Sequence, residues 1–130
     1  MKGFTLVEII ITFAIIVFLI VLIVPWGIDF YNSNQLRIVT EEVVQALRRA
    51  QFNAMASKND TAFGVYFETG QYRLEDEVFK VSDVISFSGL SQVIFSKLQG
   101  LPSATGDIIL TAGNKSRIIN INSAGRINLE

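Results

Sequence analysis

Residues 4–26 read FTLVEIIITFAIIVFLIVLIVPW, and this stretch decides how the rest of the chain is organised. From Ile9 to Trp26 the only polar side chain is Thr12, whose hydroxyl can bond to a carbonyl of its own helix. About 20 apolar residues in helical form match the ~30 Å hydrocarbon core of a bilayer. A helix that is apolar on every side needs a thick protein core or lipid around it, and a chain of 130 residues has no such core. The sequence therefore predicts a transmembrane helix over residues 4–28.

One acidic residue, Glu8, lies at the start of this apolar run. Placing a carboxylate inside a membrane costs on the order of 2–3 kcal/mol unless it is paired or lies near the interface, and such residues are candidates for function. A solvated position at headgroup depth beside Lys2 is the structural alternative. The residues that flank Glu8 favour a functional pairing with a positive charge.

The segment Gly3-Phe4-Thr5-Leu6-Val7-Glu8, preceded by Lys2, resembles the N-terminus of type IV prepilins and of the pseudopilins of type II secretion systems. Their pattern is a short basic leader ending in Gly, then Phe-Thr-Leu-hydrophobic-Glu, then an apolar helix. The resemblance implies a leader of residues 1–3, cleavage between Gly3 and Phe4 by a prepilin peptidase/methyltransferase, and N-methylation of Phe4. It also implies assembly with other pilin or pseudopilin subunits on an inner-membrane platform.

Cleavage after Gly3 would leave a positive α-ammonium group on Phe4. Glu8 of a neighbouring, axially offset subunit is a suitable counter-charge, because such a pair is worth more in a low dielectric than in water. This pair is expected to set the stagger between subunits. Pro25 stands where the family commonly has a helix-bending proline, and with Gly27 it predicts a bend or local melting near residues 23–27.

The charges at the two ends of the apolar run predict its orientation. Lys2 precedes it and Asp29 follows it, which favours a cytoplasmic N-terminus and an extracytoplasmic position for residues 29–130. A cleaved secretory signal is the alternative, but the run is longer than the usual ~7–15-residue apolar region and no small-x-small site follows it. Together with this orientation, the resemblance to prepilins implies a single-pass protein of the bacterial cytoplasmic membrane, surrounded by lipid before assembly and then part of a periplasmic or cell-surface filament.

Residues 29–130 are predicted to form one domain of α+β type, with an amphipathic helix over about residues 33–58 and one antiparallel β-sheet over about residues 61–129. The helix is expected to pack on the sheet through one apolar stripe, formed by Leu36, Val39, Val43, Leu47, Ala50 and Ala54. Period-two patterns and hairpin signals at 68–71 and 113–115 predict the strands. These are residues 61–67, 72–74, 78–81, 84–87, 93–95, 108–111, 116–122 and 126–129.

The absence of His and Cys from the sequence excludes the usual zinc ligand sets and the Cys/His and Ser/His/Asp catalytic groups. No Gly-rich phosphate loop or nucleophile elbow follows a strand. We therefore predict no enzymatic activity, no cofactor and no metal site. The acidic turn of Glu75, Asp76 and Glu77, together with Asp83, offers the oxygen ligands that calcium takes. These residues lack EF-hand spacing, and a solvated turn is the preferred interpretation.

Three basic residues, Lys115, Arg117 and Arg126, cluster near the C-terminal end of the sequence and are candidate contacts to nucleic acid. A basic hairpin can contact phosphates, and some pilin-like proteins bind DNA for uptake. A net charge of −1 gives no overall attraction to nucleic acid, so that simple solubility is the alternative for these residues.

The order of elements also resembles the pilin family, in which the C-terminal half of a long helix is cradled by an antiparallel sheet. Residues 47–51, 63–67 and 123–127 are similar to the GspH/FimT class of minor pseudopilins. The resemblance implies a structural subunit, a minor pilin or pseudopilin, of a type IV pilus or a type II secretion-like filament. The alternative function is a pilus-tip module that recognises DNA or a surface through its C-terminal sheet.

Overall fold

The computed structural model describes residues 3–130, so that Lys2, on which the predicted orientation rests, lies outside the described residues. The chain divides into two compact units, Met1–Tyr31 and Asn32–Glu130. Helix α1 runs from Leu6 to Met55 and contributes to both units. The layout is α+β, with one long helix followed by antiparallel strands.

The helical part of the first unit is mostly apolar, and each of its described residues is exposed. Its most apolar 18-residue window has a mean hydropathy of 3.3, and none of that window is buried inside the chain. A helix of this length and composition can span a membrane. The helix continues without a break through Pro25 and Gly27, so that the prediction of local melting there is wrong. Proline removes one backbone hydrogen bond, and the hydrogen bonds of the neighbouring turns remain.

In the second unit α1 ends at Met55 rather than near residue 58, and a short 3₁₀ helix, Lys58–Asp60, follows. Ser57 stands between them with a left-handed φ of 50°, which a continuing α-helix cannot accommodate. The described residues then form eight strands: β1 (Phe63–Glu68), β2 (Gln71–Leu74), β3 (Glu77–Lys80), β4 (Ile85–Gly89), β5 (Gln92–Phe95), β6 (Gly106–Ala112), β7 (Lys115–Ile121) and β8 (Ile127–Leu129). Each predicted strand is present, with shifted ends.

The strands form two four-stranded antiparallel sheets, in the orders β3-β2-β1-β5 and β4-β6-β7-β8, so that the prediction of a single sheet is wrong. The chain passes between the two sheets three times, and the segment between β4 and β5 is the shortest of these crossings. Leu90 N–H donates to the Asp107 carbonyl in the second sheet, and the Ser91 carbonyl accepts a bond from Phe67 N–H in the first. Period-two patterning predicts strands but does not say which of them pair, because pairing depends on contacts between distant residues.

The core of the second unit lies between α1 and both sheets. All six residues of the predicted apolar stripe are buried, and Leu47 is fully buried, which confirms that prediction. The sheets contribute the inward-facing residues Phe63, Val65, Phe67, Tyr72, Leu74, Ile85, Val93, Phe95, Ile108, Leu110, Ile119 and Ile121. Thr40 is also fully buried, and its hydroxyl donates to the Leu36 carbonyl at 2.6 Å. This bond allows a polar side chain to lie in an apolar core.

Candidate functional site

Glu8 closes a capping box at the start of α1. Thr5 is the residue before the first helical turn, and both its backbone N–H and its hydroxyl donate to Glu8 Oε2, at 2.8 and 2.9 Å. In return Glu8 N–H donates to Thr5 Oγ1 at 3.3 Å. This reciprocal pattern satisfies N–H groups that have no partner within the helix. The Thr-x-x-Glu spacing before an apolar run was the signal for it, and sequence reasoning that considered only the charge of Glu8 missed it.

The capping box leaves part of the Glu8 carboxylate available. Among residues 3–130, all bonds to the carboxylate go to Oε2, and Oε1 has no donor. One carboxylate can accept several hydrogen bonds, so that the cap and a second partner are compatible. Thr12 donates its hydroxyl to the Glu8 carbonyl at 2.7 Å, as predicted for a threonine inside an apolar helix.

The predicted processing residues precede α1 in an accessible segment. Gly3 is exposed, and a Cβ added to it would meet no atom within 4 Å. The Phe4 side chain is 85% exposed. Nothing in the described part of this chain therefore covers the Gly3–Phe4 peptide bond. Pro25 is exposed inside α1, in the same apolar surface.

Lys115 and Arg126, the outer two of the three basic candidates, lie towards opposite ends of β7. Lys115 begins β7 and donates to Ser33 Oγ at 2.7 Å, near the start of the second unit. Arg126 follows the other end of β7, in a turn whose Gly125 carbonyl accepts a bond from Gln51. Ser33 and Gln51 are separated by about 27 Å along α1 at 1.5 Å per residue.

The side of the sheet that carries Lys115 and Arg117 also argues against a nucleic-acid surface. Alternate residues of a strand lie on one face, and these two share the face of the buried Ile119 and Ile121. That face is turned towards α1, as the Lys115–Ser33 bond requires. The sequence alone does not indicate that Lys115 and Arg117 lie on the face of β7 that is turned towards α1.

Gln51 joins three distant segments at the end of α1. Its Nε2 donates to the carbonyls of Gly100 and Gly125, at 3.0 and 2.9 Å. Gly125 has a φ of +77°, and a Cβ there would lie 2.6 Å from Gln51 Nε2 and 2.9 Å from the Gly100 oxygen. Glycine is required at this position by conformation and by space. Two of the three segments that carry the minor-pseudopilin resemblance therefore meet in the structure.

A groove lies between α1 and the β2–β3 hairpin. Its volume is about 580 Å³, and it is lined by Glu42, Gln45, Ala46 and Arg49 of α1 and by Tyr72, Leu74, Phe79 and Lys80 of the hairpin. The Tyr72 and Phe79 rings stack with centroids 4.9 Å apart. Burial, and then the negative charge of Glu42, raise the pKa of Tyr72 to about 12.

The acidic residues beside this groove have structural partners. Glu75 Oε1 accepts a hydrogen bond from Gly64 N–H at 2.8 Å, and Glu77 Oε2 lies 3.3 Å from Arg49 Nη1. Two of the three predicted turn acids therefore tie the β2–β3 hairpin to β1 and to α1. The Arg49–Glu77 pair is exposed, and pairs of this kind contribute about 0–1 kcal/mol.

Comparison of the chain with protein-family models, with curated proteins and with solved structures gives no match.

Proposed function

We propose that this chain is a structural subunit, a minor pilin or pseudopilin, of a type IV pilus or a type II secretion-like filament. Its N-terminal leader is removed after Gly3, Phe4 is N-methylated, and the subunit is assembled through the apolar part of α1. The observation that carries the proposal is the segment Gly3–Glu8, which combines an accessible Gly-Phe bond, a Thr5–Glu8 capping box and an exposed apolar helix.

The exposed apolar surface of the first unit is consistent with this proposal both before assembly, in the membrane, and after assembly, in a filament. Lipid covers the helix before assembly, because about 20 apolar residues match the bilayer core. In a filament, the same surface packs against the helices of other subunits, where apolar contact is favourable in every direction and fixes no register. A charged group is needed to fix the register.

Glu8 and the α-ammonium group of Phe4 are suited to this task. Glu8 Oε2 holds the start of its own helix, and Oε1 can accept a bond from the Phe4 ammonium of an offset neighbour. Removing one partner of a buried pair costs about 3–5 kcal/mol, since the remaining charge is left unpaired. That cost, repeated at each addition, is large enough to select the correctly staggered subunit.

The proposal implies four partners: a prepilin peptidase/methyltransferase, other pilin or pseudopilin subunits, an inner-membrane assembly platform and, before assembly, membrane lipid. It places the N-terminus in the cytoplasm and the second unit outside the cytoplasmic membrane. The separation of Lys115 from Arg126 gives no support to the alternative of a DNA-binding tip module.

Mass spectrometry of the N-terminus tests the proposal. Protein from cells that contain a prepilin peptidase should begin at an N-methylated Phe4. The variant Gly3→Leu should keep residues 1–3, since a side chain at this position obstructs the approach of the peptidase to the backbone. A mature terminus near residue 30 would identify an ordinary secretory signal and overturn the proposal.

A further inference from the structure

The apolar part of α1 carries one residue suited to a membrane interface near each of its ends. At the start lies Glu8, whose carboxylate is costly to place in hydrocarbon. Near the other end lies Trp26, which is 82% exposed. Tryptophan is enriched at membrane–water interfaces, because its ring is apolar whereas its indole N–H requires a hydrogen-bond acceptor. Lipid carbonyls and water supply that acceptor at the interface, and hydrocarbon does not.

The continuity of α1 fixes the distance between these two residues. The helix is unbroken from Leu6 to Met55, so that a rise of about 1.5 Å per residue holds through Pro25. Glu8 and Trp26 are then about 27 Å apart along the helix, which is close to the ~30 Å of a bilayer core. A bilayer adapts to a difference of this size at modest cost. Both residues therefore reach an interface at the same time.

Glu8 and Trp26 also lie on the same face of α1, because about five full turns separate them. A line that joins two residues on one face runs parallel to the helix axis, and tilting the helix only shortens its projection on the membrane normal. At the average tilt of ~20° the projected distance falls to about 25 Å. The two residues are therefore accommodated best when this part of α1 stands close to the membrane normal.

The exposed apolar surface continues beyond Trp26 to Phe30 and Tyr31, which are the alternative interfacial residues. Asp29 argues against a boundary at Phe30, because a hydrocarbon core that ended there would enclose its carboxylate. Asp29 forms no ion pair with another of the residues 3–130 that would lower this cost. A core that ends at Trp26 leaves Asp29 about 4.5 Å outside it.

We propose that Trp26 binds the phospholipid interface on the side opposite Glu8 and thereby fixes the depth of α1 in the membrane before assembly. Residues 8–26 form the part that crosses the hydrocarbon, and Phe30, one turn after Trp26, lies among the headgroups. This depth holds the Glu8 carboxylate at its own interface until a neighbouring subunit supplies a positive charge. It requires membrane insertion, which is part of the proposed function, but neither cleavage nor methylation nor filament assembly.

The depth of Trp26 is directly measurable, because it is the only tryptophan of the chain. The full chain is reconstituted in phosphatidylcholine vesicles whose acyl chains carry bromine either near the glycerol or near the methyl end. Bromine quenches tryptophan fluorescence at short range, so that bromine near the glycerol should quench Trp26 more strongly. Equal or stronger quenching by bromine near the methyl end would place Trp26 inside the core and overturn the proposal. Absence of quenching by either lipid would also overturn it.

A cysteine at position 28 tests whether Trp26 or Asp29 fixes the depth. The chain contains no other cysteine, so that Ile28→Cys gives a single site for a water-soluble maleimide. Trp26→Leu extends the apolar run and should slow this labelling severalfold, whereas Trp26→Tyr keeps an interfacial aromatic residue and should label like the parent. Val21→Cys, about two turns deeper on the same face, is the control and should remain almost unlabelled. Unchanged labelling of Ile28→Cys in the Trp26→Leu protein would show that Asp29 alone fixes the depth and overturn the proposal.

Failure of this proposal and failure of the proposed function give different results. The vesicles contain no peptidase, so that the reconstituted chain keeps its leader and its depth is measured independently of processing. An interfacial Trp26 in vesicles, combined with an unprocessed N-terminus in cells that contain a prepilin peptidase, would overturn the proposed function alone. An N-methylated Phe4 combined with a Trp26 deep in the core would overturn the depth assignment alone.

Discussion

Substitution can separate two interactions of Glu8. The cap with Thr5 depends on hydrogen bonding, whereas the proposed pair with Phe4 of a neighbouring subunit depends on charge. Glu8→Gln keeps an oxygen that can accept the two bonds from Thr5, whereas Glu8→Ala loses those two bonds as well as the charge. We expect both variants to insert and to be cleaved, since the residue can lie near the interface before assembly. Incorporation into filaments, measured by quantitative blotting of sheared fibres, should fall strongly for Glu8→Ala and less for Glu8→Gln.

The control for this experiment is Thr5→Val, which removes the side-chain part of the cap and keeps the carboxylate. If the charge pair determines the register, Thr5→Val should assemble better than Glu8→Ala. Normal incorporation of Glu8→Ala alongside wild-type partners would show that the pair is dispensable in this subunit.

The contacts of Gln51 also depend on a single atom, since Nε2 donates to two carbonyls. Gln51→Glu places a carboxylate against those oxygens, and we expect a loss of about 1–3 kcal/mol in the free energy of unfolding. Gln51→Ala should cost less, because it leaves the carbonyls unpaired without adding a repelling charge. Urea unfolding measures both, and Gln45→Ala, at an exposed position of the same helix, should change little.

At the scale of elements, the buried stripe of α1 is the contact that stabilises the second unit. Leu47 is fully buried against the sheets, whereas its neighbour Arg48 is exposed. Leu47→Asp buries a charge and should lower the free energy of unfolding by about 3 kcal/mol or more, with Arg48→Asp as the control near zero. If both variants unfold at the same urea concentration as the parent, the stripe does not form the contact described here.

The stripe, the strands and the two hairpins could be predicted because each depends on residues close together in the sequence. Apolar spacing is sufficient to place Leu47 inside and Arg48 outside. The two sheets could not be predicted, since β4 and β5 are successive strands that pair with different, distant partners. The same limit explains why Lys115 and Arg126 were expected together: a seven-residue strand separates them in space, although few residues separate them in sequence.

At the scale of the whole molecule, the division of the chain into two units at Asn32 predicts which fragment can fold alone. The second unit contains the entire buried core, whereas no described residue before Asn32 is buried. Folding of a domain requires enough buried apolar surface to offset the loss of conformational entropy, and a fragment of residues 32–130 keeps all of that surface.

We therefore expect a fragment that begins at Asn32 to be soluble and monomeric without detergent, whereas the full chain requires detergent or lipid. The fragment retains Ser33, which accepts the Lys115 bond, and a start at Gln35 would lose it. Analytical ultracentrifugation should give a monomer, and urea should unfold the fragment in one cooperative transition. Its Leu47→Asp variant should lose that transition or shift it to lower urea. An aggregated fragment, or one without a cooperative transition, would show that the second unit depends on the membrane helix, and the two-unit description would then be wrong.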